Sequence, residues 1–312
     1  MIATPEANSN RAESLRRRIS LRSLSEGTLR SLCFVCAIVT ILTTLAIAYF
    51  LIVETVPFFG KVTPAEFYLG TKWSPQITPN RYGVLPLISG TFMIAIGAAV
   101  IAIPLGLASA IYLTEFATLR TKRVLKPTLE VLAGIPTVVY GYFALTMITP
   151  FLKKFFPSTE GSNAASGAIV VGIMILPLVS SLCSDALAAV PRALREGAYG
   201  LGSTKQEVTM KVVVPGALSG IMSSFILAIS RAVGETMAVT LAAGATPKLT
   251  TNYLESIQTM TAYIVQVVKG DTPVGSIGYQ TIFAVGFSLF VITFVMNLIA
   301  RALVQKYRRV YE

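Results

Sequence analysis

Between Arg30 and Glu54 the chain runs for 23 residues without a charged side chain. As a helix this stretch is about 34 Å long, against a hydrocarbon core of roughly 30 Å. Comparable apolar stretches lie within residues 82–114, 131–152, 161–184, 212–245 and 272–300. The pattern predicts an all-α membrane protein with six transmembrane helices. Leu51, Ile52 and Val53 provide no small-residue cleavage site, so the first stretch reads as a retained helix and not as a secretory signal.

Two features modify this simple count. Pro104, Pro136, Pro150, Pro177 and Pro215 interrupt the spans, and Gly134-Ile135-Pro136 is expected to bend the third. In the outer connection before the last span, Asn252 and Glu255 make a capping-box pattern. Leu254, Ile257, Thr261, Ile264 and Val268 then share a face, which predicts an amphipathic helix over 252–269, outside the membrane or partly inserted in it.

Composition fits lipid as the solvent. Hydrophobic residues make up 54% of the chain and charged ones only 13%, with a mean hydropathy of +0.68. The net charge of +11 is distributed as topology requires and calls for no nucleic-acid partner. Arg11, Arg16, Arg17, Arg18, Arg22 and Arg30 place the N-terminus in the cytoplasm. Arg120, Lys122, Arg123 and Lys126 then crowd the second connection, Arg192, Arg195, Lys205 and Lys211 the fourth, and Arg301, Lys306, Arg308 and Arg309 the tail. Both termini are therefore expected inside. The organisation expected is a basic tail over 1–30, a membrane domain over 31–304 with an inner loop at 185–211, and a short tail over 305–312.

Enzymatic chemistry lacks its parts. There is no histidine, and Cys33, Cys36 and Cys183 lie inside apolar runs, which leaves neither a zinc set nor a Cys/His pair. Residues 197–204 read GAYGLGST, with the glycine spacing of a P-loop but Ser203 where the phosphate-binding lysine must stand. No catalytic, metal or cofactor site is expected on this chain.

Two segments carry more specific information. The inner loop reads Pro191-Arg192-Ala193-Leu194-Arg195-Glu196-Gly197-Ala198, with Gly202 six residues after Glu196 and Val212-Val213-Val214-Pro215 beyond. It resembles the EAA signature of ABC importer permeases, with Gly197 in place of the first alanine. In that family the segment is a coupling helix that docks in a groove of the ATPase. The resemblance implies that Glu196, Gly197, Ala198, Gly202 and Pro215 are coupling residues; the alternative is a basic amphipathic loop at the membrane surface.

The second segment is Ser230-Arg231-Ala232-Val233-Gly234-Glu235-Thr236-Met237. On a continuous helix Arg231 and Glu235 share a face with the small residues Ser224, Gly234, Ala238 and Ala242, while Phe225, Ile226, Ile229, Val233 and Met237 lie opposite. A mid-membrane arginine costs at least about 2.5 to 3.5 kcal/mol on insertion scales, so it needs compensation. One reading is an i, i+4 ion pair that bolts the bundle together. The other is oxyanion binding by the guanidinium fork, with Glu235 accepting a hydrogen bond from a protonated phosphate, which fully ionised sulfate cannot offer.

Four stretches, VETVPFF, PLISGTF with IPLGLASAIYL, LEVLAGIPTVVYGYF and SRAVGETMAVTLAAG, make the chain similar to the PstC-type permeases of the phosphate-specific ABC importer. That resemblance implies a MetI-like six-helix core in a bacterial cytoplasmic membrane and an inorganic phosphate substrate. It also implies a PstA-like partner permease, a PstB-like ATPase dimer carrying ATP and Mg, a PstS-like periplasmic binding protein, and Arg231 and Glu235 on the substrate path. Another oxyanion such as sulfate or molybdate, or a secondary anion transporter, remain the alternatives.

Overall fold

The computed structural model describes residues 5–308, with side chains over 27–302 and at 304 and 305. The arginines at 11, 16, 17, 18 and 22, and Lys306, Arg308 and Arg309, on which much of the orientation rests, lie outside the described side chains.

The chain divides into two units, Met1–Val53 and Glu54–Glu312. The described part of the first is a helix, α1 (Pro5–Phe59), which continues into the second. Its apolar residues, such as Leu32, Phe34 and Leu42, are exposed, as suits a helix whose solvent is lipid.

The second unit opens with an aromatic lobe. Helix α2 (Pro64–Leu69) starts at Thr63, whose hydroxyl accepts from the Glu66 N–H at 3.3 Å. A short antiparallel ribbon, β1 (Trp73–Ser74) and β2 (Arg81–Tyr82), pairs Trp73 with Tyr82. Phe58, Phe67, Trp73 and Tyr82 pack edge to face, with ring centroids 5.4 Å apart for Phe58–Phe67. Such pairs add about 0.5–1.5 kcal/mol each beyond the area they bury.

The membrane helices follow. Helix α3 (Leu85–Ile111) ends in a π-helical turn, Tyr112–Phe116. Helix α4 (Leu119–Gly134) meets α5 (Thr137–Phe143) at 91°, at the expected Gly134-Ile135-Pro136 break; a π turn then leads into α6 (Thr149–Phe155). The helix α7 (Ala164–Ala188), continuous through Pro177, packs along α3, where Ala95, Ala98 and Ala102 face the same core as Val171, Ile175 and Val179. Without a hydrophobic drive between helices in lipid, alanines at the contact let the backbones approach and gain dispersion contacts.

After α7 come α8 (Arg192–Gly200), α9 (Lys205–Val208), a π turn over Thr209–Val213, α10 (Val214–Gly216), α11 (Leu218–Val233) and α12 (Met237–Ala242). Helix α13 (Met260–Lys269) and the last span α14 (Ile277–Arg308) complete the chain. Among the described residues four helices are long and apolar enough to cross a membrane, and with each of two bent pairs taken as one span there are six crossings, the number expected.

Two expectations need correction. The stretch 212–245 is not one helix: it bends by 68° between Gly216 and Leu218, after Pro215 has removed a backbone donor, and breaks again over Gly234–Thr236. The helix expected over 252–269 begins only at Met260, capped by Thr259. Asn252 instead accepts from the Leu254 N–H at 3.0 Å and donates to Glu255 at 3.3 Å. The carbonyls of Glu255 and Tyr253 accept from the Ala164 and Ala165 N–H groups at 3.0 and 2.8 Å. These are donors that the first turn of α7 would otherwise leave without partners, and their demand overrides the local helical pattern.

Candidate functional site: a cationic cavity and an inner coupling segment

Helix α11 presents Arg231 in its last turn. The side chain is exposed, makes no ion pair among the described residues, and lines a cavity of ≈ 550 Å³ bounded by the ends of α3, α4 and α7. Lys122 and Lys126 of α4 line the same cavity; Lys122 is half-buried and donates to the Thr114 carbonyl at 3.2 Å. Three cations, set against the carboxylates of Glu130 and Asp185 on the same lining, leave the opening with a net positive charge.

Glu235 stands apart from them. It is 9% exposed, it lies in the break after α11, and it does not line the cavity. Its Oε1 accepts from the Ala238 N–H at 3.2 Å, capping α12, and its carbonyl accepts from the Thr261 hydroxyl at 2.6 Å. The shared helical face read from the sequence is therefore replaced by a division of labour. Arg231 faces open space, while Glu235 holds the turn that ends the helix. The bolting ion pair is not formed. Three of the four small neighbours turn inward as well: Ala238 and Ala242 are in the core, and Ser224 is buried with its hydroxyl on the Ile221 carbonyl at 2.8 Å and 3.0 Å from Cys183 Sγ, while Gly234 stays exposed.

The sequence reading missed the residues that α7 contributes. Pro177, Ser180, Ser181, Ser184, Asp185 and Ala188 line the cavity, spaced as one face of a helix. Serines and an aspartate recurring at that spacing inside an apolar span were the available signal.

The inner segment is a short helix closed by a glycine turn. Helix α8 carries Glu196 and Gly197 exposed and Ala198 half-buried against the core. It ends in a Schellman turn, in which the Gly202 N–H donates to the Tyr199 carbonyl at 2.9 Å and the Ser203 N–H to that of Ala198 at 3.3 Å. Gly202 has φ +82, and nothing lies within 4 Å of where a Cβ would stand, so the requirement for glycine is one of backbone alone. Gly202→Ala is expected to cost about 1–2 kcal/mol at this turn, and Gly202→Asn clearly less. Hydrogen–deuterium exchange across 198–204 should quicken in that order; equal protection in all three proteins would refute it.

Two contacts fasten α8 to the rest of the bundle. Arg195 bridges Glu115 of the π turn at 3.0 Å and donates to the Leu187 carbonyl at 2.7 Å, and the Lys205 ammonium lies 5.2 Å from the centroid of the Phe116 ring. Leu194, Tyr199 and Leu201 remain exposed beside Glu196. Pro215 stands apart from this surface, half-buried at the bend before α11.

Residues 102–309 match the family described as the binding-protein-dependent transport system inner membrane component. The chain is 39% identical over 284 residues to a probable ABC transporter permease protein, YqgH, of Bacillus subtilis, covering 90% of this chain and 92% of that protein. It is 35% identical over 260 residues to the phosphate transport system permease protein PstC of Mesorhizobium japonicum, covering 77% and 78%. Among solved structures, it overlays a chain of a bacterial alginate ABC transporter with a TM-score of 0.63 at 14% identity, covering 88% of this chain and 94% of that one. It overlays the MetNI methionine ABC transporter with a TM-score of 0.54 at 16% identity, covering 72% and 94%. With this match over two thirds of its length and relatives at 35–39% identity, the chain belongs to the family of binding-protein-dependent transport system inner membrane components, the permeases of ABC importers.

Proposed function

We propose that this chain is one of two permease subunits of an ATP-driven importer of inorganic phosphate. The observation that carries the reading is Arg231: a permanently charged fork in a membrane helix, exposed and without an ion-pair partner among the described residues, on a cavity it shares with two lysines. The relatives named as phosphate transport permeases support the choice of anion. Membership of the family implies a binding protein and ATPase subunits as partners. In this reading they are a PstS-like protein and a PstB-like dimer holding ATP and Mg, beside a PstA-like second permease in the bacterial inner membrane, with both termini inside.

In this mechanism the surface of α8 around Glu196, Gly197, Ala198, Leu201 and Gly202 docks on the ATPase. Closure of the ATPase dimer moves α8, and the contacts of Arg195 and Lys205 pass the motion to the end of α3. Arg231 offers the passing anion a site that is weak by design, since the anion must leave again, while Glu235 fixes the turn beside it. Pro215 supplies the bend through which α11 can tilt.

The test is ATP-dependent uptake of labelled phosphate by proteoliposomes holding the whole assembly, with hydrolysis scored in parallel. Arg231→Lys keeps the charge and loses the fork, so uptake should fall at least about tenfold, the equivalent of about 1.4 kcal/mol, while hydrolysis stimulated by the binding protein persists. If uptake and hydrolysis both survive unchanged, Arg231 has no place on the path.

A further inference from the structure

Arg231 and Asp185 line the same cavity, both exposed, and neither has an ion-pair partner among the described residues. Opposite charges that face one space without bridging each other suit a guest that complements both. Asp185 lies on α7 beside Ser181 and Ser184, which line the cavity with it. Ser180, in the same stripe, is already used, donating to Ser109 at 3.1 Å. The α7 wall of the cavity thus offers one carboxylate, which can only accept hydrogen bonds, and two hydroxyls, which can donate or accept.

We infer that Asp185 is a specificity-determining residue of this path, accepting a hydrogen bond from the O–H of a partly protonated tetrahedral oxyanion whose charged oxygens face Arg231. The inference rests on the oxyanion reading of the cavity given above. Hydrogen phosphate carries both kinds of oxygen. Sulfate has no O–H near neutral pH, so it would set a charged oxygen against the carboxylate and be repelled. Glu235, the carboxylate singled out by the sequence, is buried, accepts from a backbone N–H and lies off the cavity. Glu130 also lines the cavity, but from α4, none of whose residues is buried. Asp185 stands on an unbroken helix with more than half its residues buried, and a fixed acceptor discriminates better than a mobile one.

The test removes the binding protein, whose own preference would mask that of the membrane path. Titration calorimetry on the purified permease–ATPase complex, without nucleotide, compares inorganic phosphate with sulfate. The wild type should prefer phosphate, and Arg231→Ala should weaken both anions. Asp185→Asn should lower the preference at least about tenfold, the effect of one lost charge-assisted hydrogen bond, in part by admitting sulfate. Asp185→Glu keeps the charge, should still exclude sulfate, and serves if the Asn variant does not assemble. An unchanged preference in Asp185→Asn, or a preference lost in Glu130→Gln instead, overturns the assignment to Asp185. If the wild type binds neither anion, the oxyanion reading itself fails.

Discussion

Gly244→Ala should be among the most damaging single substitutions in this chain. Gly244 follows α12 with φ +100, and a Cβ there would lie 2.1 Å from Ser256 Oγ and 3.1 Å from Ser162 Cβ. The backbone conformation alone disfavours a side chain by about 1–3 kcal/mol, and forcing a methyl into a packed junction adds about 1–3 kcal/mol. The junction cannot give way cheaply. Ser256 is buried and its N–H donates to Glu160 at 3.0 Å, and the next residue, Ile257, donates from its N–H to the Ala243 carbonyl at 3.0 Å. Fluorescence-detected size exclusion should show a loss of monodisperse protein and a lower melting midpoint. Ser256→Gly removes the overlapping hydroxyl but leaves the unfavourable φ, so the double variant should recover part of the loss. Wild-type yield and melting in Gly244→Ala would refute the strain.

The second large effect is expected at the Arg195–Glu115 pair. The carboxylate side chain is 8% exposed and the guanidinium 21%, so neither can fall back fully on water when its partner is removed. Breaking a buried pair from one side costs about 3–5 kcal/mol, and the partial exposure of Arg195 puts this pair toward the lower end. Glu115→Ala should therefore loosen α8 from the end of α3. With the coupling role proposed for α8, ATP hydrolysis continues while phosphate uptake falls, a failure of coupling and not of the motor. Arg195→Lys should do nearly the same, because Arg195 reaches Glu115 and the Leu187 carbonyl with two separate guanidinium nitrogens, and the single nitrogen of lysine does not reproduce that fork. If uptake and hydrolysis fall in strict proportion, the pair matters for assembly only.

Much of the architecture was legible from local pattern. The six crossings follow from uncharged runs, because transfer into lipid is a residue-by-residue energy that needs no knowledge of neighbours. The break at Gly134-Ile135-Pro136 follows from a missing donor.

Arg231 was legible for a related reason. An arginine inside an apolar stretch is unfavourable wherever its neighbours lie, and so it draws attention by itself. Glu235 was equally visible, but its role was not, since the face it occupies depends on whether the helix continues past Val233. The serine and aspartate stripe of α7 was present in the sequence too. What it faces depends on α4 and α11 closing a cavity around it.

The aromatic lobe and the 252–259 segment lay furthest from view. Trp73, Tyr82 and Phe67 are scattered in a connection whose local pattern names no partner, and they meet only because the ribbon folds back over α2. The capping-box pattern at Asn252 is genuine as a local signal, yet it lost to the unpaired N–H groups at the start of α7, nearly 90 positions earlier in the chain.

The sequence by itself determined which stretches are apolar enough to enter the membrane, that the third bends at Gly134-Ile135-Pro136, and that an arginine lies within an apolar stretch. Each of these is set by the free energy of a residue or of a single turn. Only the tertiary structure decided which charges face a common space, which carboxylate is consumed as a cap, and which loop satisfies a distant helix end. Those outcomes depend on donors, acceptors and volumes supplied by parts of the chain that the local pattern does not connect.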